Sequence, residues 1–236
     1  MKMYKAIFFD LDGTLLPMNM EEFTGGYFKF LCKKLAPFNL DNNLLIDVIW
    51  KGTGAMVMND GSSTNQQVFW DYFAKAMDCP VDEIKPCCDQ FYSQEFQQAK
   101  CFTGDNPLAV EAVRVAREKA DIVALTTNPL FPMDGQITRM GWLGLAPSDF
   151  DLVTSYEDSH FCKPNPQYFA EVCQKLGVKP SECLLIGNDE KEDMFCCSQL
   201  EIDGYLVTDS LIECKEHPWN GPRGSFAEMI EMLKAL

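Results

Sequence analysis

Two rhythms of apolar residues run along this chain. Ala6-Ile7-Phe8-Phe9, Ile122 to Leu125, Leu184 to Ile186 and Tyr205 to Val207 are short unbroken apolar blocks, each stopped by polar residues or glycine. Such blocks are the mark of strands covered on both faces. Phe150 to Thr154 reads as a further strand. From about Met18 to Gln98 the spacing is helical instead. Phe23, Tyr27, Phe30, Leu31 and Leu35 share one helix face, and Leu44, Leu45, Val48 and Ile49 follow after Asp41. Thr64 with Gln67 is a capping-box signature for a third helix through Phe73 and Met77, and a fourth runs from about Val81 to Phe96. Trp50 to Gly54 and Asn59 to Ser63 read as loops between these helices. After Phe102, helix and strand alternate. Asn106 and Pro107 open a helix, Met133 to Leu143 carries another, and Asn165 with Pro166 opens one that Gly177 closes. Ser225 with Glu228 caps the last.

Strands alternating with helices imply an α/β fold, a doubly wound parallel sheet. The first strand belongs to that sheet although its partners come only after residue 120. Residues 1–16 and 102–236 are therefore expected to form the α/β core, and residues 17–101 an all-α helical cap inserted after the first strand. Ligands of such sheets bind beyond the carboxyl ends of the strands, which puts the inserted helices over that edge as a lid.

A chain of 236 residues can bury roughly 70–75% of its unfolded surface, so it needs no covalent staples. The eleven cysteines include adjacent pairs at Cys87/Cys88 and Cys196/Cys197 and no zinc-like spacing, which suits reduced thiols in a cytoplasmic protein. No basic-then-apolar leader opens the sequence, and no apolar run reaches membrane-spanning length. Net charge is −15, from 20 basic and 35 acidic side chains, which argues against nucleic acid or an anionic membrane as the partner. A small phosphorylated molecule is compatible only if local cations overcome the overall field. A monomer or weak homodimer is expected.

The first strand stops at Asp10, with Asp12 two residues on and Gly13 free to turn sharply. Two carboxylates at the mouth of a buried strand repel each other and are costly to desolvate, which makes sense chiefly with a cation between them. Ordinary turn chemistry is one alternative. A calcium loop is another, since Asp10, Asp12 and Glu21 hold its positions one, three and twelve. Its sixth position, however, is Leu15 rather than glycine. A dinucleotide loop fails, because no G-x-G-x-x-G follows the strand.

Three further polar clusters fall at strand ends or adjacent loops: ALTTN with Thr127, FCKPNPQYF with Lys163, and LLIGNDEKEDM with Asn188, Asp189 and Asp193. With FFDLDGTLL ahead of them, in this order, they resemble the four motifs of the haloacid-dehalogenase-like (HAD) hydrolase superfamily, in its helical-cap phosphatase type. The resemblance implies a Rossmann-like core, a Mg2+ cofactor and phosphoryl transfer through an aspartyl-phosphate. Asp10 would be the nucleophile and Asp12 the acid and base. Thr127, Asn128 and Lys163 would hold the phosphate. Asp10, the Asp12 main-chain carbonyl and either Asn188 or Asp189 would hold the metal, with Asp193 supporting Lys163 or a metal-bound water. The family's fourth motif commonly reads Gly-Asp, whereas Gly187 here precedes Asn188 and then Asp189. A hard dication prefers a charged oxygen, which favours Asp189.

Members that cleave carbon–halogen bonds or phosphonates resemble the first motif but lack the second acid, so Asp12 disfavours both reactions. The implied function is hydrolysis of a small-molecule phosphate monoester, phosphoglycolate phosphatase-like. A β-phosphoglucomutase-like mutase and a non-catalytic metal- or phosphate-binding protein are the alternatives. Glu21, Lys51, Thr53 and Asn59 are candidates for substrate choice near the mouth of the cap.

Overall fold

The structure, a computed structural model, describes residues 4–77 and 79–236. Among these residues β1 (Ala6–Phe9), β2 (Ile122–Leu125), β3 (Leu152–Val153), β4 (Cys183–Gly187), β5 (Asp203–Val207) and β6 (Arg223–Gly224) form one parallel sheet. Its order is β3-β2-β1-β4-β5-β6, so the first strand is internal and the winding reverses beside it. Phe9, its last residue, lies level with Leu125 on one side and Ile186 on the other. The ends of β1, β2 and β4 therefore open onto one crevice, the switch point where such sheets bind ligands.

Both faces of the sheet are covered, which is why its strands are continuously apolar. Ile7, Phe9, Leu125 and Ile186 point into a core shared with α5 (Ala109–Lys119) and α9 (Phe226–Ala235). Ala6, Phe8, Leu185 and Leu206 point the other way, onto α7 (Gln167–Leu176) and α8 (Cys196–Ser198). Gly177 ends α7 in the left-handed region, and Ser225 with Glu228 forms the capping box of α9.

Between β1 and β2 lie α1 (Met20–Leu35), α2 (Asn42–Val57), α3 (Asn65–Ala76) and α4 (Val81–Ser93), followed by a 3₁₀ segment over Glu95–Phe102. Asn19, Asp41 and Thr64 cap the first three through their side chains. Phe23 and Phe96 pack edge to face, and each meets Trp142 of α6 (Met133–Trp142), which seats this helical layer on the sheet layer. The chain leaves and re-enters the sheet layer side by side: Met18 bridges Thr103, and Gly104 N–H donates to the Pro17 carbonyl at 2.7 Å.

Three local readings differ from the sequence pattern. Trp50 to Gly54 is the interior of α2, not a loop, because Leu45, Ile49, Gly52 and Met56 bury one helical face. Tertiary packing there overrides the weak helix preference of two glycines. The strand expected over Phe150 to Thr154 shortens to Leu152–Val153. A two-residue edge strand, β6, and a π-helical turn over Glu190–Phe195 have no counterpart in the apolar pattern. Among the described residues no helix is long and apolar enough to cross a membrane.

Candidate active site

Asp10 sits one residue past β1, almost fully buried, its N–H donating to the Ile186 carbonyl at 2.9 Å. The chain then reverses: Leu16 and Thr14 N–H both donate to the Leu11 carbonyl, and Gly13 N–H donates to the Leu16 carbonyl. Gly13 has φ +90°, and a Cβ on it would stand 2.3 Å from Asn188 Nδ2. Only glycine meets both demands. The turn brings Thr14 Oγ1 to 3.0 Å from Asp10 Oδ2 and 3.0 Å from Asn188 Oδ1. Two residues 178 positions apart in sequence thus share one hydroxyl.

Lys163 is 1% exposed, with Nζ 2.8 Å from Asp10 Oδ1 and 2.6 Å from Asp193 Oδ1. Burial works against its charge, but the two carboxylates outweigh it and hold the ammonium well above its ordinary value. Burial raises Asp10, Lys163 opposes that rise, and the Asp193 charge adds to it. The other Asp193 oxygen accepts from the N–H groups of Asn188 and Asp189, both at 3.1 Å. That carboxylate packs so close over Gly187 that a Cβ there would meet it at 2.3 Å. Asp193 is therefore placed on Lys163, one of the two sites expected of it.

The acidic run is split by the π-helical turn. Asn188 turns its amide oxygen onto the Thr14 hydroxyl that also reaches Asp10, its amide nitrogen donating to the Ser210 carbonyl at 2.6 Å. Asp189 turns away and caps the turn, accepting from Lys191 and Glu192 N–H at 2.7 and 2.8 Å. Asp189, which charge favoured as the metal ligand, has one carboxylate oxygen on these backbone N–H groups, whereas the Asn188 amide oxygen meets Asp10 on the Thr14 hydroxyl. Glu190 ties down the following loop through Cys214 and Trp219 N–H. Glu192, which burial pushes up to about 7, accepts from Asn128 Nδ2 at 2.9 Å.

Asn128, expected on the phosphate, clamps the Lys163 backbone with its side chain, accepting from Lys163 N–H at 3.2 Å and donating to the Lys163 carbonyl at 3.3 Å. It positions the lysine. Thr127 stands at the end of β2, buried, its carbonyl held from behind by the Thr154 and Tyr168 hydroxyls at 2.7 and 2.9 Å.

Asp12 has a partner that the sequence reading missed. Its Oδ2 accepts from Arg139 Nη1 on α6, while Oδ1 is buried with no hydrogen-bond partner among the described residues. Arg139 is itself fully buried, donates to Gln136 Oε1, and lies 4.2 Å over the Phe131 ring. The available signal was two polar residues, Gln136 and Arg139, three apart on the face of α6 that also carries buried Met140. Arg139→Met leaves the Gln136 side-chain oxygen without its donor and Asp12 without its cation. Urea unfolding at unchanged m-value is expected to show a loss of about 3 kcal/mol, the low end for a broken buried pair, because Asp12 keeps some contact with water.

Of the cap candidates, Thr53 lines the cavity above Asp12. Glu21 is exposed on the outer side of α1, Lys51 pairs with Asp47 at the surface, and Asn59 is buried in hydrogen bonds to Ser63 and Asn65.

Among the described residues no three His, Cys, Asp or Glu side chains converge as a metal cage. The donors that do meet are all oxygen: the Asp10 carboxylate and the Asn188 amide, both on Thr14 Oγ1. That set fits Mg2+, which typically takes one or two carboxylates and leaves its other positions to water and phosphate.

A sequence model of the haloacid dehalogenase-like hydrolases matches residues 4–194. The N-acetylmuramic acid 6-phosphate phosphatase of Pseudomonas aeruginosa is 26% identical over 191 residues, 80% of this chain and 75% of that protein. The ribulose-1,5-bisphosphate 5-phosphatase of Halopiger xanaduensis is 22% identical over 214 residues, 88% of this chain and 86% of that protein. Among solved structures, the 2-haloacid dehalogenase from Pseudomonas syringae pv. Tomato matches with a TM-score of 0.64 over 99% of both chains at 16% identity, a likeness of fold. With the parallel sheet, its reversal beside β1 and the four polar clusters around that point, the chain belongs to the haloacid dehalogenase-like hydrolases.

Proposed function

We propose that the chain is a magnesium-dependent phosphatase that hydrolyses a small-molecule phosphate monoester through an aspartyl-phosphate. The observation that carries the reading is the division of labour between the two carboxylates. Asp10 is held by Lys163, while Asp12 keeps one oxygen unpartnered beside the cavity. Mg2+, held by Asp10, Asn188 and the Asp12 main-chain carbonyl, would supply positive charge against the repulsion between nucleophile and phosphate.

An Asp10 oxygen attacks phosphorus, and the bond from phosphorus to the ester oxygen breaks. The leaving oxygen takes the proton from Asp12 Oδ1, the atom free to carry it. Arg139, on Oδ2, then stabilises the carboxylate that remains. In the second half Asp12 takes a proton from water as its oxygen attacks phosphorus, which releases phosphate and restores Asp10. Lys163 and Thr127 hold the phosphoryl oxygens through both steps. The free acid at Asp12 favours this chemistry over halide displacement, which needs no proton donor. The cysteine content suits a reducing, cytoplasmic setting.

Turnover of 4-nitrophenyl phosphate with Mg2+ is expected to fall at least 100-fold in chelator and to return when Mg2+ is restored, in line with the loss of a preorganised charge on phosphate. No turnover of any ester across a broad panel favours the non-catalytic binding protein instead.

A further inference from the structure

Above Asp12 lies a cavity of about 260 Å³, between the helical layer and the crevice. Its floor is Asp12, Asn128 and Glu192, and its walls include Tyr27, Phe28, Trp50, Phe69, Trp70 and Phe73. Asp12 lines this space, so with Asp12 as the acid of the proposed mechanism, the group attached to the leaving oxygen occupies it.

Two features of the lining restrict the occupant. First, none of the described lining residues is Lys, Arg or His, and the charged ones, Asp12 and Glu192, are acids. A second anionic group on the substrate would be buried beside like charge with no counterion, which is strongly unfavourable. The nearest buried guanidinium, Arg139, is already engaged by Asp12 and Gln136. Second, the aromatic walls offer few free polar groups: Trp70 Nε1 donates to the Tyr156 hydroxyl at 3.3 Å, and Tyr27 and Tyr92 lie beside one another among apolar neighbours. A polyol would lose its water hydrogen bonds there and find few replacements, whereas an apolar ring finds aromatic faces.

Resting on the phosphatase reading, we infer that the substrate is the phosphate monoester of an uncharged, apolar alcohol, with an aromatic or similarly bulky group of one or two rings. Sugar phosphates, bisphosphates and carboxylated esters, including the phosphoglycolate that the family resemblance suggested, are disfavoured.

The test compares three esters whose leaving groups are all aliphatic alcohols, so that leaving-group acidity does not decide the outcome: 2-phenylethyl phosphate, glucose 6-phosphate and phosphoglycolate. Burial of the ring is expected to raise kcat/KM for 2-phenylethyl phosphate on the order of 10- to 100-fold above the other two. Trp70→Ala is expected to shrink that ratio about tenfold. Thr53→Arg, which adds a cation to the wall, is expected to raise phosphoglycolate relative to 2-phenylethyl phosphate. Glucose 6-phosphate or phosphoglycolate turned over as well as 2-phenylethyl phosphate, in protein whose thermal unfolding is normal, overturns the inference and leaves the phosphatase reading standing. If no ester turns over, the phosphatase reading fails, and binding still decides the cavity's preference through the fluorescence of Trp50 and Trp70. Quenching by 2-phenylethyl phosphate at concentrations where phosphoglycolate has no effect supports the apolar site. Equal quenching sinks it.

Discussion

Asp10→Asn is expected to lower phosphate-ester turnover by about 10⁴-fold or more, the scale seen when a covalent nucleophile is removed. An amide keeps the shape of the carboxylate: its oxygen can accept from Lys163 while its nitrogen donates to the Thr14 hydroxyl, the two groups at hydrogen-bond distance from Asp10. It has no charged oxygen with which to attack phosphorus. The loss should therefore appear in kcat, with the fold intact. Thermal unfolding is expected to stay level or rise, because the substitution removes a buried charge whose desolvation raises its pKa, and Lys163 keeps Asp193 as counterion. Acid-quenched wild-type protein mixed with substrate should carry a covalent phosphoryl group that the variant lacks. A variant within tenfold of wild type, or one equally phosphorylated, removes Asp10 from the chemistry.

The parts of this fold that were legible in sequence are those where one physical demand acts alone. Ala6–Phe9 and Ile122–Leu125 are read to the residue because a strand covered on both faces must be apolar at every position. The caps at Thr64 and Ser225 are read because a helix start needs side-chain acceptors. β6 escapes because two edge residues, Arg223 and Gly224, bury no apolar face and leave no pattern. Trp50 to Gly54 misleads because glycine spacing marks a loop only when no neighbour covers it.

At the site, Asp10, Asp12, Lys163 and Asp193 were found by their order along strand ends, which topology converts into proximity. Side-chain direction is what sequence does not carry. Asn188 and Asp189 are adjacent, and formal charge does not say which of them turns its side chain to Thr14 beside Asp10. The Asp193 carboxylate takes the N–H groups of both residues and sends one side chain toward Thr14 and the other into the cap of the π-helical turn. Arg139 was passed over for a related reason: a cation on a helix is ordinarily solvated, and only the structure puts its buried guanidinium against Asp12.

That ion pair makes Asp12→Asn the sharpest test of the mechanism, since Asp12 could be either the proton carrier or merely the counterion of a buried arginine. As a proton carrier, its loss costs most where the departing oxygen is most basic. For an alkyl phosphate such as 2-phenylethyl phosphate, kcat is expected to fall on the order of 10²- to 10⁴-fold, the usual contribution of a positioned acid. For 4-nitrophenyl phosphate the first step needs little protonation and should survive. The second step still needs a base to take the proton from water, so hydrolysis of the phosphoenzyme should stall there. Rapid mixing should then show a burst of nitrophenol close to the enzyme concentration, followed by a slow steady state, and no burst with the alkyl ester. Were Asp12 only a counterion, its removal would leave Arg139 unpaired and loosen the fold. It would lower both esters alike, without a burst, and Arg139→Met would give the same profile.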